Sequence, residues 1–236
     1  MAYFSFNGTT SLSQGVVVLD YPPIIRAAAR VETVEIPGRS GVLTLHNPLK
    51  TYNTIEKTFR CRLLSTASQI AVSAWLQGAG TLIVGNEPTY AYTVVDVNEI
   101  TFEKIMPGYA DRVFEVTFVC QPWKELAVPG EDITLTTNPQ TITSVATMDS
   151  LPQIILTGTG TVKLEVGTYA IQLTGMNNAI PVLIDCEAMT VTNVAMSISY
   201  ISSMTGSFSK LVTGDNVIQS TGTVASVVIK PRYRWL

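Results

Sequence analysis

Cys120-Gln121-Pro122-Trp123-Lys124-Glu125-Leu126-Ala127-Val128-Pro129-Gly130 is where the chain changes character. Two prolines and a Pro-Gly pair interrupt ladder pairing, so the stretch reads as the end of a strand and the boundary between two domains. Just upstream, Phe114, Val116, Phe118 and Cys120 alternate with Glu115, Thr117 and Val119, the pattern of a strand with one buried face. Residues 1–127 hold 21 of the 33 charged residues. Residues 128–236 hold 12, and Ser and Thr fill about a quarter of that half. Domains at 1–127 and 128–236 are therefore expected.

Working outward, Phe59, Cys61 and Leu63 alternate with Arg60 and Arg62, a second half-buried strand. The period then changes. Ala67, Ile70, Ala71, Ala74 and Trp75 fall on one helical face, Thr66 and Gln69 have capping-box spacing, and Gly78 suits a helix stop. A helix of about 11 residues is expected, with Trp75 as a core anchor. Thr81–Val84 and Tyr90–Asp96 read as further strands, separated by a turn around Asn86-Glu87-Pro88. In the second half, Ile154–Leu156, Val162–Val166, Val182–Ile184 and Val224–Ile229 are short apolar runs between Gly, Asn, Asp and Ser, as in a sandwich or jelly roll. Gly158-Thr159-Gly160 reads as a tight turn between two of them.

Composition excludes several function classes. The 236 residues have 14% charged side chains and a net charge of −3. A typical charged fraction is about 25%. The deficit implies a surface that meets other protein, and the net charge argues against a generally basic nucleic-acid binder. No run approaches the 18 or so apolar residues of a membrane span. The first residues lack a basic region followed by an apolar core, so no secretory signal is read there. Three widely spaced cysteines, Cys61, Cys120 and Cys186, and one histidine, His46, fit buried thiols better than a disulfide or zinc framework.

Chemical motifs are sparse. Gly38-Arg39-Ser40-Gly41-Val42 has the first Gly and the Ser of a hydrolase elbow but not the last Gly, and no helix pattern follows. Nothing positions His46 as its base. No phosphate-cradling glycine loop is present. Asp185-Cys186-Glu187 sends neighbours to opposite strand faces, so a core cysteine between two exposed acids is expected. Lys230-Pro231-Arg232-Tyr233-Arg234-Trp235-Leu236 reads as a closing strand with an outward arginine row. No catalytic, cofactor-binding or metal-binding residue is assigned.

Val31–Thr44 contains Ile36-Pro37-Gly38-Arg39-Ser40-Gly41-Val42-Leu43 and resembles the IPGR-x-G-x-L segment of siphophage distal tail proteins, the Dit family. Further landmarks follow in that family's order. Trp75-Leu76 closes the helix before Gly80-Thr81-Leu82-Ile83, and Tyr90-Ala91-Tyr92 opens the next strand. Phe114 to Pro122 resembles F-x-V-x-F-x-C-x-P, and Pro231–Trp235 is similar to the terminal strand. Ser40 departs from the Asp or Asn that better supports such a turn.

The resemblance implies a mainly β protein. It would have an N-terminal β-sandwich or barrel-like ring-forming domain with one α-helix, then a C-terminal galectin-like (jelly-roll) β-sandwich. It also implies a virion structural protein of the bacteriophage tail tip or baseplate, a hub forming a hexameric ring and assembled in bacterial cytoplasm. The implied neighbours are its own copies, the tail-tube protein, the tail-tip or tail-lysin protein, and receptor-binding or other baseplate proteins for host attachment. Pro37, Gly38, Arg39 and Gly41 are the turn and interface candidates. No enzyme activity, cofactor, nucleic acid or membrane is implied. The alternative is a carbohydrate-binding module for host glycans, using second-half aromatics such as Tyr169 and Tyr200.

Overall fold

The computed structural model describes residues 2–46, 51–65, 67–104 and 111–236. The chain separates into two compact units, Met1–Ala127 with Leu236, and Val128–Trp235. The fold is mainly β in both. Among the described residues there is one α-helix, and no helix is long and apolar enough to cross a membrane.

Unit 1 is built from β1 (Phe4–Phe6), β2 (Thr9–Thr10), β3 (Val16–Asp20), β4 (Val31–Glu35), β5 (Val42–His46), β6 (Ile55–Leu63), α1 (Gln69–Trp75), β7 (Gly80–Val84), β8 (Tyr90–Val97), β9 (Phe102–Lys104) and β10 (Arg112–Leu126). One curled antiparallel sheet runs β2-β1-β7-β8-β10-β6-β3, with β9 beside β10. Its buried face follows from alternation. Every odd residue of β6 from Ile55 to Leu63 is buried, Lys57 included, and every even one is turned outward.

 The inward row is thus Ile55, Lys57, Phe59, Cys61 and Leu63, and the outward row is Glu56, Thr58, Arg60 and Arg62.

The core of unit 1 is aromatic. Phe4 lies 4.8 Å from Phe59 between ring centres and stacks nearly parallel on Trp75 at 5.6 Å. Phe118 meets Phe59 edge-on at 5.7 Å. Such pairs add about 0.5–1.5 kcal/mol each beyond the area they bury.

Three expectations for this half need correcting. The helix has seven residues, and its N-cap is Ser68, whose hydroxyl accepts from the Ala71 N–H. Thr66 lies outside the described residues. The helix buries Val72 and Leu76, with Trp75 partly buried, while Ile70 is 83% exposed and Ala71 and Ala74 face outward. Trp75 sets this rotation by stacking on Phe4 and donating its indole N–H to the Phe6 carbonyl. The third correction concerns Pro122, which does not end its strand, since β10 runs through it to Leu126. Pairing with β6 stops at Cys120, and between Cys120 and Lys124 the ladder with β8 slips. Pro122 sits inside that slip, where no N–H is required of it.

Unit 2 contains β11 (Ile133–Thr134), β12 (Gln140–Ser144), β13 (Gln153–Val166), β14 (Tyr169–Met176), β15 (Val182–Asp185), β16 (Thr190–Asn193), β17 (Met204–Gly206) and β18 (Gly214–Lys230). Two long strands, β13 and β18, pair from Gln153 opposite Lys230 to Val166 opposite Ile218 and serve two leaves of one sandwich. One leaf adds β12, β14 and β17, and the other adds β11, β15 and β16. The core between them is aliphatic, with Ile154, Leu156, Leu164, Ile171, Leu173, Ile184 and Ile229 fully or almost fully buried.

Gly158-Thr159-Gly160 is therefore not a turn between strands. It lies within β13, at the crease between the leaves. At Gly158 a Cβ would come within 2.6 Å of the Thr223 carbonyl, and at Gly222 within 2.3 Å of the Thr161 carbonyl. Only glycine allows so close an approach of the two backbones. The chain's last residues also differ from expectation. They form no continuous strand, and Arg234 is buried, not outward.

Candidate assembly surfaces

β4 and β5 pair only with each other, forming a two-stranded sheet separate from the main one. Their register is Glu35 opposite Val42, Val34 opposite Leu43 and Thr33 opposite Thr44. β-Branched and aliphatic residues on either side of a Pro-Gly turn explain the hairpin. The Arg39 N–H donates to the Ile36 carbonyl (3.1 Å), with Pro37 between them and Gly38 at φ +83°. That is a type II turn, in which Pro suits the first central position and Gly the second. Gly41, at φ +80°, returns the chain to β5. Pro37, Gly38, Arg39 and Gly41 thus share one exposed tip.

The arm leaves five large apolar side chains substantially exposed. Val31, Val34, Ile36, Val42 and Leu43 are 39% to 48% exposed. A lone two-stranded hairpin is marginal in water, and a row of exposed large aliphatics marks a surface that another molecule covers. The base of the arm is firmly tied. Arg30 N–H donates to the Thr51 carbonyl (2.8 Å), Asn53 N–H to the Ala28 carbonyl (3.0 Å), and Arg30 Nε to Asn53 Oδ1 (3.3 Å). The signal for these positions, beyond the four tip residues, was the Val, Ile and Leu residues on both sides of the turn.

Sequence reasoning also missed a charged cluster inside unit 1. Lys57 is almost fully buried, donates to the Pro23 carbonyl (3.1 Å) and lies 4.7 Å from the centre of the Tyr92 ring. Burial pushes its ammonium below the usual lysine range, against the pull of Glu87. Burial alone would raise the Glu87 carboxyl. Hydrogen bonds from Lys124 and Tyr92, both at 2.7 Å, outweigh that and hold it below the ordinary value. The cluster is closed on itself and ties strands together.

The remaining candidates are dispersed. Ser40 is in the turn and His46 closes β5, four residues of strand and about 13 Å beyond Val42. Burial pushes the Cys61 and Cys120 thiols up to about 12 and Cys186 to about 11, so the reactive thiolate is suppressed. Cys186 is buried between acids as expected, but Asp185 is not simply exposed. It accepts from Gln153 (2.6 Å) and pairs with Arg232 (3.2 Å), while Glu187 pairs with both Arg232 and Arg234. Among the described residues, no group of three His, Cys, Asp or Glu side chains could hold a metal ion. Tyr169, Tyr200, Phe208, Tyr233 and Trp235 are each partly buried, and Tyr200, Phe208 and Tyr233 pack on the unit 2 core. That leaves those three little free face for stacking on a sugar.

No protein-family model matches the chain, and no curated protein matches it. Among solved structures it is similar to the Dit protein (gp 19.1) of phage SPP1, described as a paradigm of the hub adsorption apparatus in Gram-positive infecting phages. The TM-score is 0.73 at 12% sequence identity, and the likeness covers 100% of both chains. The two units, joined in this order, thus make up the fold of a phage distal tail protein.

Proposed function

We propose that this chain is a structural hub of the distal tail or baseplate of a long, non-contractile phage tail. In this reading it closes into a hexameric ring in the virion, having assembled in the bacterial cytoplasm. The ring joins the tail tube to tail-tip or tail-lysin proteins, and unit 2 offers attachment points to receptor-binding or other baseplate proteins. It acts by assembly and not by chemistry. The full-length likeness to the SPP1 hub supports a tail role. The observation that carries self-assembly is the arm, whose exposed aliphatics find no cover in their own chain. A head-to-tail contact between copies would cover them, and repetition of one such contact closes a ring.

Light scattering across a concentration series tests this. The expected mass rises from 25.5 kDa toward about 153 kDa for six copies. Replacing the cross-strand pair by Val34→Asp and Leu43→Asp should hold the protein at 25.5 kDa without lowering its thermal unfolding. A wild-type mass of 25.5 kDa at every concentration would overturn self-assembly.

A further inference from the structure

We infer that the arm tip of one copy docks, through Arg39, into an acidic groove on unit 1 of a second copy. The inference rests on the self-assembling reading above and names the surface that receives the arm.

The groove opens where the edge pairing along β10 passes from β8 to β9. It measures about 430 Å³, and its lining includes Glu99, Glu103, Glu115, Arg60 and Val113. Register explains how the charges converge. Glu115 lies opposite Arg60 across β10 and β6, and Glu103 lies opposite Val113 across β9 and β10. Three carboxylates against one guanidinium leave two negative charges in excess. Among the described residues none of these four side chains makes a hydrogen bond or ion pair. The carboxylates face one groove but do not come close enough together to hold a metal ion, since among the described residues no three acidic, histidine or cysteine groups could do so. The charge calls for a cation that is broad, exposed and carried on a protein surface.

Arg39 has those properties. It is exposed on a turn held by Pro37 and by the Arg39–Ile36 hydrogen bond, and it likewise has no partner among the described residues. Ile36 and Val42, beside it, are 40% and 48% exposed. They would cover the apolar floor at Val113 while the guanidinium meets the carboxylates, which suit its planar fork. Unpaired charge of opposite sign on two parts of one chain is the pattern expected of a head-to-tail contact between copies.

A charge swap tests the pairing. Arg39→Glu and Glu103→Arg, each alone, should weaken self-association about tenfold or more, and the two together in one chain should restore most of it. Mixing an Arg39→Cys chain with a Glu103→Cys chain under mild oxidation should give a disulfide-linked pair, because the three native thiols are buried. Singles without effect, a double variant as weak as the singles, or no disulfide-linked pair would overturn the groove while an assembling wild type leaves the ring reading standing. A wild type that stays monomeric at every concentration overturns both.

Discussion

The two units bend a long strand with the same ladder slip and opposite chemistry. In unit 1, β10 advances from Cys120 to Lys124 while β8 moves only from Val94 to Tyr92. In unit 2, β13 advances from Thr159 to Lys163 while β18 moves only from Thr223 to Thr221. A slip strands backbone groups that a regular ladder would pair. Unit 1 puts Pro122 there, which has no N–H to strand. Unit 2 puts Gly160 there and Gly222 across from it, both at positive φ, and at Gly222 lets the backbones nearly touch. A proline slip needs only the absence of a donor. A glycine crease needs the absence of a side chain, so it tolerates far less change.

That difference can be broken or sharpened by mutation. The largest effect is expected at the crease, where Gly222→Ala forces a Cβ onto the Thr161 carbonyl. Unit 2 should lose about 4 kcal/mol, read as faster hydrogen exchange throughout β13 and β18 while unit 1 stays protected. Equal loosening of both units would show that they do not unfold separately. Next comes the aromatic core of unit 1. Trp75→Ala removes the stack on Phe4 and leaves the Phe6 carbonyl without its indole donor, at about 3 kcal/mol. An unchanged exchange pattern in β1 and β7 would contradict this.

The smallest effect concerns the clasp around Asp185. Burial alone would raise this carboxyl, but hydrogen bonds from Gln153, Ala188 and Glu187 and the Arg232 guanidinium hold it below 3.8. A depressed acid stabilises the fold above its ordinary value and loses that contribution as pH falls through the folded one. Asp185→Asn should therefore cost about 1 kcal/mol near neutral pH, with the gap to wild type closing as pH falls below the ordinary carboxylate range. A gap independent of pH would exclude the ionic clasp as its source.

Much of this was legible in the residues. The alternation in β6 and β10 marked their buried faces, and the Pro-Gly pair at Ile36–Arg39 marked the turn. The helix face was misread because Ile70, Ala71 and Ala74 satisfy helical spacing as well as Val72 and Leu76 do. The choice between them was made by Trp75, whose contacts come from β1, far away in sequence. The Gly158–Gly160 crease was misread for a related reason. Glycines that end a strand and glycines that let two strands touch look alike until the second strand, with Gly222, is in place. The burial of Arg234 depended on Glu187, 47 residues away. The acidic groove left no sequence signature, since its glutamates come from three separate segments.

The central position of β18 has a consequence for biosynthesis. It is the last strand of unit 2 to leave the ribosome, yet β11, β12 and β13 all pair with it. Unit 1 has every strand of its sheet once residue 126 is out. Unit 2 must wait, with one edge of β13 unpaired, until residues 214–230 have emerged. Closure then depends on contacts of long sequence separation, which form slowly. A nascent chain paused within that window would carry a first unit with all its sheet strands beside an open, aggregation-prone second one.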